Sequence, residues 1–175
     1  MTILYVILIV LAALGVLYLL AIMPRMGHRE ERKDFLHTLY AHRGLHDNAS
    51  DAPENSMAAF KKAVKAGYGI EMDVQLTKDK VPVVFHDFTL ERICGREGKI
   101  SDYTWDELKE FKLCNSQETI PRFEEVLKTV NGKVPLIIEL KVEWMDISVC
   151  PVADGVLRDY KGLYCIESFN PLVLS

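Results

Sequence analysis

Four short polar clusters each end an apolar run: His42-Arg43-Gly44, Glu71-Met72-Asp73, His86-Asp87 and Glu139-Leu140-Lys141. Residues two apart in a strand share a face, so Glu71 and Asp73 present two carboxylates together while Met72 turns away. Glu139 and Lys141 repeat that spacing. Three hard oxygen donors from separated positions suit Mg²⁺ or Ca²⁺, and the His and Cys spacing of a zinc site is absent. His42 and His86 each follow a strand-like run, and a neutral imidazole can take or give a proton near neutral pH. One of them as base and the other as acid on a leaving oxygen, with the order left open, would complete a hydrolytic site. Arg43 supplies a planar fork for a phosphate, and Lys141 a point charge against developing negative charge. A Glu-x-Asp pair by itself is more often a solvated strand face, but this one lies in a mostly apolar run. His28, His37 and His46 lack comparable settings.

The elements that would position these groups alternate. Thr38–Ala41 is a short apolar run that stops at His42. Asn55 or Ser56 caps a helix over Met57–Ala66, which Gly67 ends. Gly69–Leu76 reads as the second strand and Val81–Phe85 as the third, with the latter expected to be covered on both faces. Between Glu91 and Ser116 the pattern is irregular, with a Thr104–Glu107 capping box, and reads as an insertion. Arg122–Val130 is an amphipathic helix that ends at Asn131-Gly132. Pro135–Leu140 is a fourth strand, Asp146–Tyr160 a helical segment interrupted by Pro151 and Gly155, and Leu163–Ile166 a fifth strand. This repetition predicts an α/β fold with a parallel sheet, either doubly wound or a closed barrel. Charged groups after four consecutive strands, rather than at one switch point, favour the TIM (β/α)8 barrel. Five strands of the usual eight are visible, so the barrel is expected to be incomplete, with its C-terminal part missing through truncation.

The first residues are of another kind. From Ile3 to Met23 no side chain is charged, and these 21 residues match a bilayer core of about 30 Å. A transmembrane helix is expected, in preference to a cleaved signal peptide or a buried soluble helix. Arg25, Arg29, Arg32 and Lys33 follow it, which places the C-terminal side in the cytoplasm. The intervening Glu30, Glu31 and Asp34 argue against a strong lipid-binding polybasic patch. The organisation expected is a transmembrane helix over 1–24, a basic linker over 25–37, and the barrel segment over 38–175 with its insertion at about 91–116. Cys94, Cys114, Cys150 and Cys165 form no CxxC pair and fit reduced cytosolic thiols, a Cys94–Cys114 disulfide being the alternative if the domain were extracellular. The net charge of −4 gives no reason to expect a nucleic-acid partner.

The blocks Ala41-His42-Arg43-Gly44, Pro53-Glu54-Asn55-Ser56, Glu71 to Asp79, Pro82 to Asp87 and Ile138 to Lys141 resemble, in this order and spacing, the glycerophosphodiester phosphodiesterase family. The segment Glu167-Ser168-Phe169-Asn170 is also similar, and coverage runs from about residue 38 to the end. The resemblance implies a TIM barrel that hydrolyses a glycerophosphodiester to glycerol 3-phosphate and an alcohol. It implies Glu71, Asp73 and Glu139 as ligands of a divalent cation, Mg²⁺ or Ca²⁺, and His42 and His86 as the acid/base pair. Arg43 and Lys141 would bind the phosphate, with Glu54 and Asn55 supporting the site, and the insertion would lie over the barrel mouth. A lysophospholipase D acting on a membrane lipid, or an inactive membrane-bound phosphodiester-binding module, are the alternative readings.

Overall fold

The computed structural model describes residues 2–23 and 29–173. It divides into two compact units, residues 1–36 and 37–175.

In the first unit, α1 spans Thr2–Ile22, and the stretch Ile3–Leu20 is long and apolar enough to cross a membrane, with none of it buried inside the fold. A second helix, α2 (Arg29–Leu36), forms within the segment read as a linker. Arg25 and His28 lie outside the described residues, and so do the side chains of Arg29 and Arg32.

The second unit is built on a sheet of five strands: β1 (Tyr40–Ala41), β2 (Gly69–Leu76), β3 (Pro82–Val84), β4 (Leu136–Leu140) and β5 (Tyr164–Glu167). Along β1-β2-β4-β5 every pairing is parallel. The crossovers are α3 (Met57–Ala66), α6 (Phe123–Val130) and α7 (Val149–Leu157). Of the two expected N-caps for α3, Ser56 does the work: its Oγ accepts from Ala59 N at 3.1 Å, and Gly67 in the left-handed conformation closes the helix.

Ile70, Met72 and Val74 of β2 and Leu136 and Ile138 of β4 are fully buried against Phe60, Ala63, Phe123 and Val126 of the helices. The residues between them, Glu71, Asp73 and Gln75, point to the other face of the sheet, which in a closed barrel is its interior. Among the described residues the sheet does not close; it is an incomplete TIM barrel.

One strand departs from expectation. β3 runs antiparallel to β2, with Val74 opposite Val84 and Leu76 opposite Pro82. The reason is length. Only residues 77–81 join the two strands, whereas a parallel return needs a dozen or more residues. The turn closes through Thr77 N to Val81 O at 3.0 Å and Val81 N to Thr77 Oγ1 at 2.9 Å. His86 therefore follows a hairpin arm and not the end of a parallel barrel strand.

Beyond the hairpin lies the expected insertion, with α4 (Glu91–Cys94) and α5 (Trp105–Leu108), the latter opened by the Thr104–Glu107 capping box. It has its own small core of Leu90, Ile93, Ile100, Leu108 and Leu113, which also takes in Val83 and Phe85 of the hairpin.

Candidate active site

The polar face of the sheet gathers the acidic residues. Glu71 and Asp73 share a face of β2, and Glu139 of β4 lies directly opposite Asp73 in register. Carboxylate oxygens of these three lie within 4.8 Å of one another, and all three residues are buried. Glu167, at the end of β5, is in turn opposite Glu139. The crowding has an electrostatic consequence. Burial first, and then the neighbouring Asp73, push the Glu71 carboxyl up to about 7, although the Arg43 N–H opposes this. Partial desolvation, Glu139 and Asp73 raise Glu167 as well.

The cations present do not satisfy the cluster fully. Lys141 Nζ sits 2.9 Å from Glu139 Oε1 and 3.6 Å from Asp73 Oδ1. Asn55 Nδ2 donates to Asp73 Oδ2 at 2.9 Å. Asp73 Oδ1 and Asn55 Oδ1 are buried without a hydrogen-bond partner. Buried acceptors left in that state call for a cation or water. Three converging carboxylates with an orphaned oxygen among them fit a hard divalent ion.

The β1–α3 connection supplies the next groups. Arg43 and Asn55 both adopt left-handed backbone, at φ 56° and 55°, and Asn55 N donates to Arg43 O at 2.9 Å. This geometry turns Arg43 N toward Glu71 Oε2 at 2.9 Å. Gly44 allows the turn to lie on α3: a Cβ there would come within 2.9 Å of the Ala59 side chain. The Arg43 side chain reaches Glu54 Oε1 through Nη1 at 2.9 Å, with Nε 3.6 Å from Asp73 Oδ2. His42 stands in front, its side chain 69% exposed and Nε2 3.8 Å from Glu71 Oε2. Desolvation and then Arg43 lower its proton affinity.

His86 approaches from the hairpin. Gln75 Nε2 donates to the carbonyls of Phe85, His86 and Asp87 at 2.8, 3.2 and 2.8 Å, which fixes this loop over β2. His86 Nδ1 lies 2.6 Å from Asp87 Oδ1, leaving Nε2 for chemistry. The ring is near enough to His42 to act on it electrostatically.

Every residue singled out from the sequence thus lies in one neighbourhood on the polar face of the sheet or its flanking loops. Sequence reasoning missed others. Arg92 of α4 makes paired hydrogen bonds to both Glu54 and Asp87. Asn48 accepts from Glu54 N and donates to Glu54 Oε2, both at 2.8 Å. Burial alone would raise Glu54, but its bonds from Arg92, Asn48 and Arg43 hold it at about 2. The sequence around Glu54 is polar and gives no local signal for these partners; the need for them follows from its burial in the fold, at 5% exposure. A cleft of about 350 Å³ borders the site, lined by Gln75, Lys141, Glu143 and Trp144 among others. A larger one of about 910 Å³, between α6 and α7, contains none of the clustered groups.

The sequence matches the model of the glycerophosphoryl diester phosphodiesterase family over residues 42–167, which takes in all four clusters. The chain belongs to this family. It is 40% identical over 112 residues to the glycerophosphodiester phosphodiesterase of Bacillus altitudinis, covering 60% of this chain and 44% of that protein. Human glycerophosphodiester phosphodiesterase 1 is 33% identical over 111 residues, covering 58% of this chain and 33% of that protein. Among solved structures, an Oleispira antarctica phosphodiesterase in complex with its product sn-glycerol-3-phosphate superposes with a TM-score of 0.72 at 32% identity. That match covers 80% of this chain and 60% of the other. The Thermotoga maritima glycerophosphodiester phosphodiesterase gives a TM-score of 0.65 at 33% identity, covering 79% and 57%. The protein therefore spans less than half the length of these curated relatives and somewhat over half of the solved structures.

Proposed function

We propose that the whole protein hydrolyses glycerophosphodiesters to glycerol 3-phosphate and an alcohol, as a metal-dependent phosphodiesterase. The observation that carries this is the convergence of Glu71, Asp73 and Glu139, buried and with Asp73 Oδ1 lacking a hydrogen-bond partner, with His42 Nε2 3.8 Å from Glu71 Oε2. In this reading the three carboxylates hold Mg²⁺ or Ca²⁺. The ion, when bound, supplies positive charge against a phosphate oxygen.

The protein's own groups do the rest. Arg43 and Lys141 are the phosphate-binding cations. Glu54 holds the Arg43 fork, while Asn55, through Nδ2, fixes the Asp73 carboxylate. One imidazole accepts the proton of the attacking hydroxyl as its oxygen bonds to phosphorus; water gives glycerol 3-phosphate directly, whereas a glycerol hydroxyl gives a cyclic phosphodiester that a water then opens to the same product. The other imidazole gives a proton to the oxygen of the alcohol as the P–O bond to it breaks. The Asp87 contact at Nδ1 leaves His86 Nε2 directed to its task, a carboxylate–imidazole arrangement that sets ring orientation and tautomer.

Residues 38–175 are the catalytic segment in this proposal, with residues 91–116 as its mouth insertion. The apolar helix α1 anchors it to a membrane as a single pass, followed by the basic 25–37 segment on the cytoplasmic side. A second reading, lysophospholipase D, draws support from Trp144, 90% exposed and lining the cleft that borders Lys141, with the exposed Met145 beside it. Such a surface suits an acyl tail.

The test is release of glycerol 3-phosphate from glycerophosphocholine by the full-length protein, with and without Mg²⁺ or Ca²⁺. Cation-dependent turnover that vanishes in His42→Ala and Glu71→Ala supports the proposal; a silent wild type with cation bound favours a binding module. Faster turnover of lysophosphatidylcholine than of glycerophosphocholine, reversed by Trp144→Ala, would favour the second reading. For topology, labelling of Cys94 by an impermeant reagent in intact cells would overturn the cytoplasmic placement.

A further inference from the structure

Arg92 lies in the insertion, outside the motif blocks, and its side chain is 46% exposed, a setting in which an arginine usually contributes little. Its contacts are of a different order. Nη1 and Nη2 meet Glu54 Oε2 and Oε1 at 2.9 and 2.7 Å, and Nε and Nη2 meet Asp87 Oδ2 and Oδ1 at 2.6 and 2.9 Å. One guanidinium is thus bidentate to two carboxylates at once, a geometry that a lysine cannot reproduce.

Each of those carboxylates has a second duty. Glu54 Oε1 also accepts from Arg43 Nη1 at 2.9 Å, and Asp87 Oδ1 lies 2.6 Å from His86 Nδ1. Arg92 consequently links the Arg43 fork on the β1–α3 loop to the His86 ring on the hairpin loop.

We infer that Arg92 is a positioning residue: through Asp87 it fixes the orientation and tautomer of His86, and through Glu54 the seat of Arg43. This rests on the phosphodiesterase reading for its effect on rate, but not for its effect on His86. Without the fork, the Asp87 carboxylate is free to rotate away from Nδ1, and the imidazole loses its fixed tautomer. The Glu71, Asp73 and Glu139 cluster shares no hydrogen bond with Arg92 among the described residues, so cation binding is left alone.

The experiment compares full-length wild type, Arg92→Gln and Arg92→Lys. Long-range ¹H–¹⁵N spectra of the imidazoles, with His86 assigned by His86→Gln, should show a proton fixed on Nδ1 in the wild type and mixed tautomers in both variants. Turnover of glycerophosphocholine should fall about 10- to 100-fold in kcat, as for other groups that orient a site residue, with KM changed less than kcat. Mg²⁺ affinity by calorimetry should stay within about twofold. Arg92→Lys keeps the charge, and should be no better than Arg92→Gln; its recovery to wild-type turnover would overturn the fork argument. Identical His86 spectra in wild type and variants would overturn the inference whether or not the protein turns over substrate. A fixed tautomer lost in the variants of a protein that has no turnover would instead retain the positioning role and remove the phosphodiesterase reading. Should Arg92→Gln fail to fold, the spectra of Arg92→Lys decide.

Discussion

The carboxylate trio and the His86 corner are joined through β2, yet they are built differently. The trio hangs on β2 and β4, adjacent parallel strands whose opposite faces are sealed by Ile70, Met72, Leu136 and Ile138, all fully buried. His86 belongs to a loop after an antiparallel arm, and its surroundings come from an insertion with a separate small core of Leu90, Ile93 and Leu108. The first region is positioned by sheet register, which no single residue can alter without moving the whole core. The second is positioned by side-chain hydrogen bonds from Gln75 and Arg92. The difference teaches that half of this site is fixed by the scaffold and half by a polar network, so the two should respond differently to substitution.

The sharpest test removes one member of each half. Glu71→Gln should abolish cation binding and lower kcat by about a thousandfold or more. His86→Ala should lower kcat by about 10²–10⁴-fold and leave Mg²⁺ affinity unchanged, as titration calorimetry would register. Loss of Mg²⁺ binding in His86→Ala would show that the halves are one unit.

In the network half, Glu54→Ala leaves the Arg43 and Arg92 guanidinium groups without their shared partner. It should cost on the order of 3 kcal/mol in urea unfolding, because breaking a buried pair strands a desolvated charge. Leu108→Ala, in the insertion core, should cost about 2–3 kcal/mol locally, raise amide exchange across residues 88–116, and spare exchange in β2 and β4. Uniform acceleration in all of these would dissolve the distinction between the two regions.

The last test concerns pH. Glu71 is raised to about 7 from 4.5, so between those values the folded state holds more protons than the unfolded one. The cation-free protein should therefore lose stability as pH rises from about 4.5 to 7, with Tm falling across that range. Saturating Mg²⁺ should reverse the slope, since the bound ion takes the place of the proton. A cation-free Tm that climbs steadily over this range would contradict the crowding of Glu71.

These two regions are unequally legible in the sequence. Period-two alternation around Glu71 and Asp73, and the apolar run ending at Glu139, carry enough information to bring the trio together, because strand geometry alone decides which groups share a face. The direction of β3 is readable too, against the expectation of a uniformly parallel sheet: five residues between Leu76 and Pro82 permit a hairpin and exclude a crossover. Other features have no local signal. Nothing in Arg43 announces left-handed backbone, which depends on the turn that Gly44 and Asn55 make against α3. Arg92 sits in an irregular stretch, and its meaning comes from Glu54, 38 positions away.

The main-chain carbonyl of Asp73 accepts a hydrogen bond from Phe85 N at 2.9 Å, while the carboxylate of the same residue belongs to the trio. The residue after Phe85 is His86. One main-chain hydrogen bond thus moors the hairpin loop to the strand that bears the trio. The backbone next to the imidazole is therefore tethered to the sheet, while the orientation of the ring itself is left to Asp87 and Arg92.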